Sequence, residues 1–215
     1  MSQNVLDPDH AVKTERGTVL HDPPLAQFLF SDTRFAPVWL VVRVLLGLGW
    51  ITTALDKLND PDWMQTGDAL KNFWTQAIQV PATGRPPIVY DWYRDFIQGM
   101  LDNGAYTWFA KFVAISELVV GVMLITGTFI GVAAFFGAFM NWNYIMAGSA
   151  SRNGLFGLAA IFMILAWKTA GYYGLDRWIL PRLGMSWQAP PLSWVRTTSQ
   201  RPPPTPVDQP YSVKR

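Results

Sequence analysis

Arg43 in 39–58, Glu117 in 106–125 and Lys168 toward the far end of 155–173 are ionisable residues that lie inside long apolar stretches. A charge in hydrocarbon is costly unless it meets a partner, so each is expected to be paired or functional. Counted at 1.5 Å per residue, Arg43 and Glu117 each fall roughly 10–14 Å from one end of their segments, with Lys168 near the same band. That spacing predicts an Arg43–Glu117 ion pair, with Lys168 as a second cation or one snorkelling to the interface. Such a pair either fixes helix register or serves chemistry. A second polar band lies at the opposite ends: Asp56, Lys57, Asn59, Asn141, Trp142, Asn143, Arg152 and Asn153. Membrane interfaces are commonly polar and aromatic, but Asn141 shares a stripe with Ala133 and Gly137 that aims it inward.

What is missing narrows the chemistry further. The chain has no cysteine, which removes disulfides, iron–sulfur clusters, thiolate metal sites and cysteine nucleophiles. Its two histidines, His10 and His21, both precede the first apolar stretch, so no haem or metal centre is expected within the chain. The net charge of +2 and the lack of a basic helix with interleaved aromatics argue against nucleic-acid binding.

The elements that must position these residues follow from length and hydropathy. Half of the 215 residues are hydrophobic and only 15% are charged, well below a soluble domain. Four segments, 39–58, 106–125, 129–147 and 155–173, are long and apolar enough to be read as membrane helices. On the first, Arg43, Gly47, Trp50, Ala54 and Lys57 share one face; on the second, Ala110, Ala114, Glu117 and Gly121 do. Between them, 60–105 is too polar to cross; 62–79 and 89–101 have amphipathic helical spacing around a Pro/Gly-rich 81–87, predicting an aromatic-rich helical cap. Ser151 or Asn153 is expected to cap the fourth helix.

The predicted fold is therefore all-α: a four-transmembrane-helix bundle, residues 36–183, with a helical insert at 60–105. A polar N-terminal arm (1–35) precedes it, and a proline-rich tail (184–215) follows. Four spans place both termini on one side. Nine Lys/Arg in the tails against four in the insert and third connection favour a cytoplasmic side for them, in a prokaryotic cytoplasmic membrane.

Several motifs resemble a known family. Arg43-x3-Gly47 with Lys57, and Ser116-Glu117-x3-Gly121-x5-Gly127, are similar to the DoxX superfamily of four-helix membrane proteins. Pro61-Asp62-Trp63, Met140-Asn141-Trp142-Asn143, residues 147–153 (AGSASRN) and residues 166–177 (AWKTAGYYGLDR) resemble the DoxD membrane subunits of thiosulfate:quinone oxidoreductases. The likeness spans about 37–183, with Gly154 standing where it leads one to expect proline. It implies a membrane subunit that passes electrons from a small sulfur anion to a quinone beside at least one further subunit.

A quinone needs no metal relay, only an apolar slot, aromatic walls and donors at its carbonyl oxygens. On this reading Lys57 and Arg152 attract a small oxyanion, with Arg43 as a further candidate cation. Asn141 donates to a quinone carbonyl, and Trp50, Trp142 and Asn143 border the slot. Arg43 and Glu117 mark a competing inner site. The alternative is a non-catalytic subunit whose aromatic insert and tails bind a larger respiratory or photosynthetic complex.

Overall fold

A computed structural model describes residues 12–13, 19–20 and 23–184. The chain divides into two compact units, Met1–Ile179 and Leu180–Arg215. The histidines and the proline-rich tail beyond Gly184 lie outside the described residues. In the second unit, the Leu183 and Gly184 amides close turns on the Leu180 and Pro181 carbonyls.

Among its described residues the first unit is almost wholly helical. Two-residue strands β1 (Val12–Lys13) and β2 (Val19–Leu20) pair antiparallel. Then come α1 (Pro24–Phe30), a 3-10 turn (Thr33–Phe35) and α2 (Ala36–Leu58). A π-helical turn (Asp62–Thr66), α3 (Asp68–Ala77) and α4 (Asp91–Asp102) make the insert. The remainder is α5 (Tyr106–Thr126), α6 (Ile130–Met146), α7 (Asn153–Leu165), α8 (Trp167–Gly171) and α9 (Asp176–Arg182). Two of these are long and apolar enough to cross a membrane, α2 with its preceding turn and α5; α6 and α7 are shorter apolar helices.

Glycine sets the α2–α5 contact. The two helices run antiparallel, and a Cβ on Gly47 would stand 2.9 Å from the Gly121 carbonyl, a Cβ on Gly121 3.0 Å from the Gly47 carbonyl. Only residues without side chains let the backbones approach this closely. The expected stripe on α6 packs as its spacing implies: Ala133, Gly137 and Asn141 are all buried, with Gly137 against Trp50 and Val120. The main core joins Trp39, Leu46 and Trp50 of α2 to Val120 and Leu124, to Ile130, Ala133 and Ala134, and to Ala160 and Met163.

Three expectations are corrected in detail. The predicted fourth helix, 155–173, is interrupted at Ala166 (φ −93°, ψ 14°), so α7 and α8 are separate. The interruption lets the Trp167 Cβ pack against the α6 backbone at Gly131, and the Thr169 hydroxyl donates to the Phe30 carbonyl of α1. Alanine at the break gives no sequence sign of it. The 62–79 helix is likewise split at Gly67, whose left-handed φ of 79° separates the π turn from α3. Neither Ser151 nor Asn153 caps α7; the Asn153 amide instead donates to the Ser149 carbonyl at 2.8 Å and closes the preceding turn.

The insert has its own core: Leu70, Trp74 and Ala77 of α3, Ile88, and Tyr93 and Ile97 of α4 pack on Ala110 and Ala147. Tyr93 ties it down, its hydroxyl donating to the Asn143 carbonyl and side-chain oxygen, both at 3.2 Å. Burial pushes that phenol above its ordinary pKa. Tyr93→Phe is expected to cost about 1 kcal/mol and speed proteolysis between α3 and α4. Limited digestion of the solubilised protein measures this.

Candidate functional site

The α2–α5 register decides which charges meet. Because Gly47 faces Gly121, Glu117 lies opposite the turn of α2 that follows Trp50, and Lys57 reaches back to it. The Lys57 ammonium donates to Glu117 Oε1 at 2.5 Å and to the Tyr144 hydroxyl at 2.8 Å; that hydroxyl donates to the same Oε1 at 2.5 Å. Glu117 is 1% exposed and Lys57 15%, so the pair is largely withdrawn from water. The ammonium also stands over the rings of Trp63 (4.8 Å) and Tyr144 (5.1 Å), which add cation–π attraction.

The predicted Arg43–Glu117 pair is therefore not formed. A depth counted from each helix's own end requires the ends to be level, and they are not. In fact α2 begins at Ala36 while the end of α5, Gly127, lies against Arg43, roughly two helical turns of offset. Arg43 is buried at that other end between Gly127 and Gly174, donating to the Tyr173 carbonyl at 3.4 Å and facing the charge of Asp176. Asp176 in turn accepts from the Phe129 and Ile130 amides at 2.6 and 2.9 Å, capping α6. The 174–176 backbone bonds to the α5–α6 turn as well, Leu175 to Thr126 and Asp176 to Gly127. This end is a clasp joining α2, α5, α6 and the segment after α8. Lys168 joins neither cluster; it is exposed beside the Trp167 ring.

Beside the Lys57–Glu117–Tyr144 triad opens a cleft of about 280 Å³. Trp50, Thr53, Lys57, Glu117 and Tyr144 line it from the bundle, and Ser149, Ser151, Arg152, Asn153 and Phe156 from the α6–α7 connection. Trp50 and Phe156 meet edge to face at 6.1 Å and form an apolar wall. Arg152 is exposed at the rim. Two buried polar atoms of the lining residues have no hydrogen-bond partner among the described residues: Glu117 Oε2 and the Trp50 indole nitrogen. No group of three or more His, Asp or Glu capable of holding a metal occurs among the described residues.

Of the residues singled out in the sequence, Lys57, Trp50, Arg152 and Glu117 converge on this cleft, together with Asn153 of the outer polar band and Ser151. Arg43 lies at the other end. Asn141 is buried as its stripe implies, but its amide nitrogen donates to the Gly137 carbonyl at 2.9 Å, within its own helix, and it does not line the cleft. Asn143 holds Tyr93 of the insert, and Trp142 turns outward at 47% exposed beside Phe139. Trp142 and Asn143 therefore do not wall a slot around Asn141. Sequence reasoning missed Tyr144, Thr53, Ser149 and Phe156. Tyr144 had a signal, since it follows Asn141 by three residues and so shares its side of α6.

No protein-family model matches the chain, and neither a curated protein nor a solved structure matches it.

Proposed function

We propose that this chain is a multi-pass membrane subunit of a quinone-linked oxidoreductase, in which the cleft beside Lys57 receives a small anion that supplies electrons. The observation that carries the reading is the cleft itself, where two cations, Lys57 and Arg152, border an apolar wall of Trp50 and Phe156. Anions are drawn to such a mouth, and its low-dielectric floor strengthens the attraction. The resemblance to DoxX-type proteins supports the same reading. In this proposal α2, α5, α6 and α7 with α8 are the four spans, both termini are cytoplasmic, and the cleft opens toward the opposite side. Electron balance sets the partners: the anion is oxidised, and quinone takes the electrons together with protons. A further subunit and the lipid bilayer complete the assembly.

The outer face of the insert favours a second reading. Tyr90, Trp92 and Phe96 are each more than half exposed, a surface suited to a membrane interface or a protein neighbour. On that reading the chain is a structural subunit of a larger membrane complex.

One preparation separates the two. The protein is purified in mild detergent with its native partners and assayed for thiosulfate-dependent quinone reduction, comparing wild type with Arg152→Gln and Lys168→Gln. The oxidoreductase reading expects activity in wild type and Lys168→Gln, and a loss of about tenfold in Arg152→Gln, the size of one charge-assisted contact. An inactive, quinone-free protein that stays bound to a larger complex overturns it for the structural one.

A further inference from the structure

We propose that the cleft selects a small oxyanion of single negative charge that carries its own O–H group, held by Arg152 and Lys57 and read by Glu117 Oε2. The inference rests on the anion reading above and narrows its ligand class, ranking thiosulfate, the donor in the assay above, as a weaker ligand than a monoanion bearing O–H.

Charge comes first. The charged residues that line the cleft are Lys57, Glu117 and Arg152, two cations and one anion, which leaves one unit of positive charge for the ligand to balance. The Lys57–Glu117 pair is internally matched at 2.5 Å, so the uncompensated cation is Arg152 at the rim. A monoanion neutralises it; a dianion leaves excess charge in a partly buried space.

Hydrogen bonding supplies the second criterion. Glu117 Oε1 already accepts from both Lys57 and Tyr144, whereas Oε2 is buried with no donor among the described residues. A buried acceptor without a donor is costly, and filling the cleft with a ligand that lacks a donor leaves it so. Worse, an oxyanion without hydrogen turns its lone pairs on the carboxylate. An oxyanion bearing O–H reverses that sign, donating a charge-assisted bond to Oε2. Its other oxygens can accept from Arg152 and from the Ser149 and Ser151 hydroxyls. A carboxylate in an otherwise cationic cleft is thus a filter for the protonated ligand.

Hydrogen carbonate and nitrate make the test clean: both are planar monoanions of similar size, and only the first has an O–H. The full chain in mild detergent is titrated calorimetrically with each, and with thiosulfate, a dianion without hydrogen, in a sealed cell at mildly alkaline pH. Hydrogen carbonate is expected to bind about tenfold or more tightly than nitrate, and more tightly than thiosulfate. Equal affinity for hydrogen carbonate and nitrate, or a preference for thiosulfate, overturns the proposal while the cleft remains an anion site. Absence of binding by all three removes the anion reading as well. Glu117→Gln gives the amide a donor for nitrate and is expected to erase the preference. Should that variant fail to fold, the wild-type comparison decides alone, and Arg152→Gln should weaken every anion together.

Discussion

Glu117→Ala is expected to lower the stability of the solubilised protein by about 3–5 kcal/mol, the cost of leaving a buried charge without its partner. The substitution strands the Lys57 ammonium, which is 15% exposed, and removes the acceptor of the Tyr144 hydroxyl. The penalty belongs to the stranded groups more than to the bond itself. Lys57→Met with Glu117→Leu, which removes both charges and keeps the volume, is therefore expected to recover most of the loss. Lys168→Gln, at an exposed residue outside both clusters, should stay within about 0.5 kcal/mol of wild type. Thermal unfolding of the three variants beside wild type measures all of this. A double variant as unstable as Glu117→Ala would show that the pair acts through something other than its charges.

Gly127→Ala is the second large effect, at about 3 kcal/mol. Gly127 ends α5 with φ 74°, a left-handed conformation that costs an L side chain energy by itself. A Cβ there would also fall on the Arg43 guanidinium and stand 2.5 Å from the Gly174 Cα. Neither neighbour can retreat, because Arg43 is fully buried and the 174–176 backbone is bonded to the α5–α6 turn. Backbone strain and displacement of the arginine then act together. Alanine at Gly84, also at positive φ but with no atom within 4 Å, should cost only the backbone share. Comparable unfolding temperatures for the two variants would mean that the clasp around Arg43 yields easily.

The sequence made the helices legible but not their relative height. The apolar runs at 106–125 and 129–147 lie within one or two residues of α5 and α6, because hydropathy and glycine punctuation are local signals. The faces were legible too: Arg43, Gly47, Trp50 and Ala54 are all buried on α2, and Ala110, Ala114, Glu117 and Gly121 on α5. Which charge meets which is not local. It depends on an offset fixed by Gly47 against Gly121, and residue spacing within one helix carries no record of that offset. The same gap explains Tyr144, whose distance in sequence from Lys57 and Glu117 hides their contact. It also explains Asn141, since spacing places a side chain inward without showing that its own helix takes up its amide.

The Lys57 cleft is proposed as a basic-mouthed site open to small anions, and in a chain without cysteine a single introduced thiol reports on it. A single cysteine at Ser149, a residue that lines the cleft, can be labelled with thiol reagents of equal size and opposite charge. The anionic reagent is expected to react about tenfold faster than the cationic one, and Arg152→Gln to remove most of that difference. Equal rates, or a faster cationic reagent, would contradict it.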